Sequence, residues 1–324
     1  MDKKIIADAP AGEPKPSFFA KDRPWLNISL FLLTIISAFT VGLSWSASYQ
    51  YAGELGKGSG FYATERMLRD PRVMLLSLLY AAVLLTILLG HELGHYLTCR
   101  RYRISATWPF FIPAPTLIGT MGAFIKIRSP ISRKRELFDI GIAGPVMSFV
   151  LAIPALIVGL ALSKVVPALP PEGTITFGDP LLLRILAALF FKNVGSGNDL
   201  ILHPVAVAGW VGLFVTALNL FPIGQLDGGH VFYAFFGPKA KLVGKLFLVL
   251  FFILGVFFWF GWIVWALLIM LLGVKHPRIW DEEIPLGRTR KIIGLLAIVM
   301  FVLSFIPAPI QGYNVFDLLR IFGR

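Results

Sequence analysis

Charged residues are scarce in this chain of 324 residues: they make up 15% of it, whereas hydrophobic residues make up 56%. Soluble domains carry about a quarter charged residues, so the composition excludes an ordinary soluble fold. Cysteine is nearly absent as well, because Cys99 is the only one in the chain. A single cysteine excludes an intrachain disulfide and any metal site built from several cysteines.

Long uncharged runs stand in place of the missing charges. As helices, runs of about 18 or more such residues cross the hydrocarbon core of a bilayer. Five runs cover residues 26–46, 73–99, 137–162, 205–222 and 292–306 with its flanks. Run 246–274 is too long for one upright span, and we predict that it folds as a hairpin turning near Trp259 to Trp262. The sequence therefore predicts an all-α polytopic protein of the lipid bilayer, with six to seven transmembrane helices.

Basic residues flank these runs, although the net charge of +12 would by itself suit a nucleic-acid partner. The clusters are Arg100, Arg101 and Arg103, then Arg133, Lys134 and Arg135, then Lys239, Lys241 and Lys245. This placement is a topology signal, so we expect no nucleic-acid partner. Because positive loops stay inside, run 73–99 should end at the cytoplasmic face.

Residues 1–24 are polar and rich in Pro and Ala, and we predict a disordered cytoplasmic tail for them. They lack the cleavable apolar core of a signal peptide and the Arg-rich, acid-poor character of an organelle transit peptide. We therefore expect a multi-pass protein of a prokaryotic plasma membrane. Residues 25–324 should form the membrane-embedded domain, with an outer loop at about 165–204 that contains the amphipathic stretch Leu181 to Phe191.

The pentapeptide His91-Glu92-Leu93-Gly94-His95 lies inside the apolar run 73–99. Ionisable groups at membrane depth are costly unless something satisfies them, so they are functional hypotheses by default. Helical residues four apart share a face, which allows His91 and His95 to bind one zinc ion. Glu92, on the adjacent flank, is suited to act as general base on the attacking water.

A catalytic zinc needs a third protein ligand and an open position. Asp227 is the candidate, because most other acidic residues lie in tails or loops. It follows run 205–222, on the same side of the membrane as His95. Pro222 and the nearby glycines break the helix there, which lets the carboxylate of Asp227 point back into the bundle.

The loop between the second and third runs contains Pro109, Pro113 and Pro115, followed by Gly119 and Gly122. These residues rule out a regular transmembrane helix, yet the stretch is apolar. We predict a re-entrant, β-hairpin-like loop, and a loop lying on the headgroups is the alternative. Gly119, Thr120, Met121 and Gly122 are the candidate substrate-binding edge, to which an unwound substrate segment would add as a strand.

Two of these motifs together resemble the site-2 protease family of intramembrane zinc metalloproteases. The family's HExxH motif appears at His91, Glu92 and His95. Its second motif, Asn-x-x-Pro-x-x-x-x-Asp-Gly, appears at Asn219, Pro222, Asp227 and Gly228. The resemblance covers about residues 75–275, so we place the catalytic core at about 73–275.

The resemblance implies one zinc ion per chain, held by His91, His95 and Asp227. It also implies that Glu92 activates the water and that Asn219 hydrogen-bonds the developing oxyanion or the attacking water. The implied partner is a transmembrane protein or peptide, cut near the cytoplasmic side in regulated intramembrane proteolysis. Some family members carry a PDZ or nucleotide-sensing domain, and the connections here have room for neither.

Other interpretations remain at this point. A zinc-binding scaffold or transporter would use the same ligands without hydrolysis, but it has no need of a general base at Glu92. A prenyl-protein endopeptidase would use a glutamate as third ligand, and Glu136 and Glu172 lie in loops. Asn219 could instead form a hydrogen bond between helices. Gly141, Gly144 and Ser148 are expected to be small residues that permit close helix packing, without a chemical role.

Overall fold

The computed structural model describes residues 24–52, 65, 69–168, 176–191, 197–272, 279 and 284–322. Within these ranges the chain is mostly helical, with ten α-helices, one 3₁₀ turn and four short strands. The elements are α1 (Pro24–Gln50), α2 (Pro71–Arg101), β1 (Phe110–Pro113), β2 (Thr120–Phe124), α3 (Lys134–Ala161), β3 (Lys164–Pro167), α4 (Leu181–Phe190), β4 (Asn198–Ile201), α5 (Pro204–Leu220), α6 (Asp227–Phe236), α7 (Ala240–Phe257), α8 (Gly261–Leu272), α9 (Arg288–Ser304) and α10 (Val315–Phe322). Of the tail predicted for residues 1–24, only Pro24 is described, and it begins α1.

Four helical stretches are long and apolar enough to cross a membrane: α1, α2, α3 and the stretch Asp227–Phe257, which joins α6 to α7. The first three contain or nearly contain runs 26–46, 73–99 and 137–162, so these runs are helical as predicted. Runs 205–222 and 292–306 form the shorter helices α5 and α9, of 17 residues each. The chain is therefore a helical membrane protein.

The long run 246–274 is divided as predicted, because α7 ends at Phe257 and α8 begins at Gly261. The two helices pack against each other. The indole of Trp262 is buried and donates to the carbonyl of Pro307 at 2.7 Å, which anchors the turn. The first helix of this hairpin, α7, is longer than predicted, because it begins at Ala240 and the uncharged run begins at residue 246.

The centre of the molecule consists of α2, α3 and α5, which all pack on one another, with α1 against α2. Glycines permit this close approach. A Cβ at Gly159 would lie 2.2 Å from the backbone nitrogen of Ala206, and one at Gly94 would lie 2.5 Å from the carbonyl oxygen of Ala143. In lipid, helices associate through such close packing because burial from water no longer drives them together.

The loop between α2 and α3 forms an antiparallel hairpin of β1 and β2, with a bulge between Phe111 and Pro113. Side chains of α1 and α2 hold the carbonyls of this hairpin. Each helix side chain donates to a carbonyl of the hairpin: Asn27 to Trp108 and Pro109, Ser37 to Gly119, Trp45 to Leu117, and Tyr80 to Ile118. From Asn27 to Trp45 these contacts cover about 27 Å of α1, most of the thickness of a hydrocarbon core.

A polar cluster brings three helix ends to one level. Arg290 at the start of α9 donates two hydrogen bonds to the carboxylate of Asp139, at 2.8 and 2.6 Å. Tyr102, which caps the end of α2, donates its hydroxyl to the same carboxylate. The basic ends of α2 and α3 therefore share one face of the molecule, as the charge pattern predicted, and the basic start of α9 lies on the same face. A second pair of strands, β3 with β4, lies at the opposite end and was not predicted.

We expect Gly159→Ala to destabilise the fold, because the new methyl group would press on the backbone of α5 at Ala206. Overpacking of this kind costs about 1–3 kcal/mol. Gly287→Ala is the comparison: its Cβ would meet nothing within 4 Å, and the variant loses only the preference for glycine over alanine at the N-cap of α9. Thermal unfolding in detergent should show a lower midpoint for Gly159→Ala than for Gly287→Ala, and equal midpoints would contradict this packing.

Candidate metal centre

The two histidines of the pentapeptide lie in the last third of α2 and project from one face. Their Nε2 atoms are 3.1 Å apart. His91 is 4% exposed and His95 is 7% exposed, so both imidazoles are removed from the surface. Glu92 lies between them in sequence and is 5% exposed. The helix thus presents three buried polar groups within one turn and a half.

Asp227 reaches the same point from a distant part of the chain. Helix α5 ends at Leu220, and α6 begins at Asp227 after a sharp turn. Gly224 in the turn has φ +52°, a left-handed conformation that suits glycine. A Cβ at Gly228 would lie 2.0 Å from the carbonyl oxygen of Leu220, so only glycine fits there. This tight turn places the Asp227 carboxylate 3.1 Å from His91 Nε2 and 3.3 Å from His95 Nε2.

The spacing of these three donors fits a tetrahedral metal ion. Zinc bonds of about 2.0–2.1 Å at tetrahedral angles put neighbouring ligand atoms roughly 3.3–3.4 Å apart. The ligand atoms of His91, His95 and Asp227 all lie within 4.8 Å of one another, and they form the one such group found among the described residues. Two imidazoles and a carboxylate are also a donor set that zinc accepts.

Hydrogen bonds behind the imidazoles fix which nitrogen faces the donor cluster. His95 Nδ1 is 2.7 Å from the carbonyl of Ile140, which can only accept, so Nδ1 carries the hydrogen. His91 Nδ1 lies 3.2 Å from Ser148 Oγ. Ser148 Oγ in turn lies 2.8 Å from Thr216 Oγ1, and Thr216 donates its hydrogen to the carbonyl of Gly212 at 2.7 Å. The Ser148 hydroxyl therefore donates to Thr216, which leaves its oxygen to accept from His91 Nδ1. With both Nδ1 atoms donating, both Nε2 lone pairs point at the space shared with Asp227, and a cation there stabilises them.

The expectation that Ser148 serves only close packing is wrong, whereas Gly144 does permit close packing, against the ring of His95. A Cβ at Gly144 would lie 2.1 Å from His95 Nε2, so this glycine makes room for the ligand itself. Ser148 holds His91, as described above. Gly141 does serve close packing, against the Cβ of His230. The sequence signal was present, because residues 141, 144 and 148 lie on one face of α3 and include a hydroxyl.

Glu92 and Asn219 face the front of the cluster. With His91 they line a cavity of about 410 Å³, whereas His95 and Asp227 do not. The Asn219 side-chain nitrogen lies 3.3 Å from His91 Nε2. The cavity therefore opens on one side of the donor cluster, next to a carboxylate and an amide. This is the side on which a fourth ligand and a reacting group would be placed.

The hairpin forms another wall of this cavity. Thr120, Met121 and Gly122 line it, and the backbone N–H of Ile125, just after β2, hydrogen-bonds the Glu92 carboxylate. Gly119 lies outside the cavity lining, pressed against α1, where a Cβ would come within 2.6 Å of Ala38 Cα. Three of the four candidate substrate-binding residues therefore border the cavity, and the fourth holds the hairpin against α1.

The rest of the cavity is apolar and was not predicted. Its aromatic walls come from Trp45, Phe177, Trp210, Phe214, Trp259 and Trp265. Phe177 also forms a β-bridge with Ile310, and Gly178 accepts a hydrogen bond from the Trp210 indole at 2.8 Å. These contacts hold Phe177 against the aromatic wall of the cavity. Aromatic residues scattered over the sequence give no local signal that they will meet.

The model of the family described as Peptidase family M50 matches residues 79–260 of this chain. The matched range contains the three candidate metal ligands His91, His95 and Asp227. It also contains the two candidate catalytic residues Glu92 and Asn219. It also contains the whole β1–β2 hairpin.

Several known proteins are similar in sequence. The probable zinc metalloprotease EGY1, chloroplastic, of Oryza sativa subsp. japonica is 33% identical over 232 residues, covering 66% of this chain and 38% of that protein. The protein of the same name from Arabidopsis thaliana is 30% identical over 296 residues, covering 87% and 53%. The probable zinc metalloprotease EGY2, chloroplastic, of Arabidopsis thaliana is 28% identical over 239 residues, covering 70% and 41%. The chain thus spans about half the length of these relatives, or less.

We expect Ser148→Ala to weaken zinc binding by about tenfold to a hundredfold, because His91 Nδ1 loses the acceptor that orients its ring. Ser304→Ala is the matched control: Ser304 is also fully buried, and its hydroxyl has no hydrogen-bond partner among the described residues. Competition against a chelator measures the zinc affinity. Equal affinities in the two variants would show that Ser148 does not orient His91.

Proposed function

The chain belongs to peptidase family M50, and from this premise we propose that it is an intramembrane zinc metalloprotease. Its substrate would be a membrane protein, cut in or near a transmembrane segment as in regulated intramembrane proteolysis. One observation carries the proposal: His91, His95 and Asp227 converge on a point whose open side faces a cavity bordered by Glu92 and Asn219. The zinc metalloprotease names of the relatives agree with it.

The proposed roles follow from these positions. His91, His95 and Asp227 would hold one zinc ion per chain, which supplies a water of lowered pKa and polarises the scissile carbonyl. Glu92 would accept the proton of the attacking water at its carboxylate and pass it to the leaving amine. Asn219 would donate its amide N–H to the oxygen on which charge develops, a contact whose loss costs about 3 kcal/mol of barrier.

A substrate helix hides its carbonyls in its own hydrogen bonds, so the segment to be cut must unwind. We propose that the unwound segment pairs with β2 as an added strand, through residues Thr120 to Gly122. The hydrogen bond from Ile125 to Glu92 supports this, because it places the end of β2 beside the general base. The apolar, aromatic cavity next to this edge is suited to the bulky apolar side chains of a transmembrane segment.

We propose that the β1–β2 hairpin is re-entrant, since its contacts follow α1 from Asn27 to Trp45. With α1, α2, α3 and Asp227–Phe257 as four spans, two or three of the shorter helices α5, α8 and α9 would bring the total to six or seven. Residues 25–324 would then form one membrane-embedded domain, with its catalytic core at about 73–275 and its outer loop at about 165–204.

The metal centre would lie toward the face that carries the basic helix ends, because His95 precedes Arg101 by less than two turns. In a plasma membrane this is the cytoplasmic face. The expectation of a plasma membrane rests on the N-terminal sequence alone, and the named relatives are described as chloroplastic. In a chloroplast membrane, the positive-inside rule would likewise place the metal centre on the side of the membrane where the positively charged loops lie.

A zinc-binding scaffold or transporter is the alternative function. It accounts for the three donors but not for a glutamate held beside them at the mouth of a cavity. A glutamate-liganded prenyl-protein endopeptidase fits less well, because the donor cluster among the described residues contains an aspartate and no glutamate.

Glu92→Gln separates these alternatives. We expect it to lower proteolysis by about 10²–10⁴-fold, because the amide cannot accept the proton, while zinc binding is retained. Glu136→Gln is the control, because it makes the same substitution at a glutamate in the first turn of α3 that does not line the cavity. Proteomics of membrane peptides from cells carrying each variant gives the readout. A product pattern for Glu92→Gln equal to that of the wild type would contradict proteolysis through Glu92.

The strand-addition step has its own test in Gly122→Pro. Gly122 has φ +100°, and proline can neither adopt this conformation nor offer an N–H. We expect cleavage of a substrate found by that proteomics comparison to fall about tenfold, the effect of one lost main-chain hydrogen bond, with zinc binding intact. Gly197→Pro is matched in φ (+83°) and in open surroundings but lies in the outer segment. Equal cleavage by the two variants would exclude pairing at this edge.

A further inference from the structure

A second cavity, of about 700 Å³, lies between α2, α3 and α9. It shares no lining residue with the cavity at the metal centre. On α3 its wall is formed by Asp139, Ile142, Ala143 and Val146, which lie on one face of that helix. Nothing in the proposed proteolytic chemistry uses this space.

The cavity has a polar end and an apolar length. Arg101, Tyr102, Asp139, Thr289 and Arg290 form the polar end, at the level where the three basic helix ends meet. Along α9 the wall continues through Ile293, Leu296 and Met300. From Arg290 to Met300 the helix rises roughly 15 Å, which is half of a hydrocarbon core of about 30 Å. The apolar part, from Ile293 to Met300, accounts for about 10 Å of this length, so the polar and apolar parts together match the depth of one leaflet.

The polar end carries an excess of positive charge. Asp139 is satisfied by Arg290 through two hydrogen bonds and by the Tyr102 hydroxyl. Arg101, exposed at the end of α2, makes no ion pair with any residue in the described ranges. Two guanidinium groups therefore line this end against one carboxylate. Basic pockets between transmembrane helices on the positive side of a membrane are typical binding places for anionic headgroups.

We propose that this cavity binds an anionic glycerolipid. The negatively charged headgroup lies against Arg101 and the Arg290–Asp139 pair, and one acyl chain follows Ile293, Leu296 and Met300. Charge complementarity selects an anionic lipid over a zwitterionic one. The apolar wall from Ile293 to Met300, about 10 Å long at a rise of about 1.5 Å per residue, selects a lipid over a soluble anion.

Such a lipid would join α9 to the ends of α2 and α3. Asp139 directly precedes Ile140, whose carbonyl holds His95 in place. Binding to the folded protein alone raises the unfolding midpoint, so lipid occupancy can be measured without reference to proteolysis.

The test compares unfolding midpoints of the purified full chain in detergent with added dioleoyl phosphatidylglycerol, dioleoyl phosphatidylcholine or inorganic phosphate. We expect phosphatidylglycerol to raise the midpoint of the wild type more than phosphatidylcholine does, and phosphate to have no effect. Arg101→Gln should weaken phosphatidylglycerol binding about fivefold and remove its advantage. Arg100→Gln is the matched control: Arg100 is also an exposed arginine in the last turn of α2, but it lies outside the cavity lining.

A second pair of variants tests the apolar wall along α9, where the acyl chain would lie. Leu296→Trp fills the groove and should abolish the response to phosphatidylglycerol. Leu295→Trp, at a similarly lipid-exposed position of α9 outside the cavity, should respond as the wild type does. If Leu296→Trp fails to fold, native mass spectrometry of bound phosphatidylglycerol on Arg101→Gln and Arg100→Gln decides the question.

Three results would overturn the proposal. Equal responses to the two lipids would indicate ordinary surrounding lipid only. An equal effect of inorganic phosphate would indicate a soluble-anion site. Equal phosphatidylglycerol binding by Arg101→Gln and Arg100→Gln would remove Arg101 from any headgroup site.

Discussion

Two imidazoles and a carboxylate, buried together inside an apolar helix bundle, are the constraint on which the rest of this structure depends. Their acceptor atoms converge at 3.1–3.3 Å, and such a group is costly in an apolar interior without a cation to satisfy it. Four helices cooperate in building it. Helix α2 carries the histidines and α6 the aspartate, while α3 and α5 supply Ile140, Ser148 and Thr216 behind the rings.

The back and the front of the centre are built differently. Behind it, backbone carbonyls and hydroxyls fix the imidazoles, and Gly144 leaves just the space that His95 fills. In front of it, Glu92 and Asn219 line a largely apolar cavity. Rigid support behind and free volume in front is the arrangement that a hydrolytic metal site needs, because ligands must stay fixed while a substrate segment enters.

The sequence predicted the parts of this arrangement that have a local signature. The HExxH spacing, the helix break before Asp227 and the division of run 246–274 all depend on neighbouring residues, and the structure has them. The pairing of β3 with β4, the contact of Ser148 with His91 and the cluster of Asp139 with Arg290 depend on residues far apart in the chain. The hydrophobic periodicity of a sequence does not predict contacts between residues that are far apart in the chain. The length of α5 was also overestimated, because Phe221 and Pro222 leave the helix.

Zinc-edge X-ray absorption spectroscopy of the purified, zinc-loaded chain tests the convergence most directly. Two imidazole nitrogens and oxygen donors at about 2.0–2.1 Å are expected in the wild type. Asp227→Ala should lower the zinc occupancy or remove an oxygen donor, whereas Asp317→Ala, in the peripheral helix α10, should leave the spectrum unchanged. A zinc environment that is identical in wild type and Asp227→Ala would contradict a shared site formed by the two distant segments.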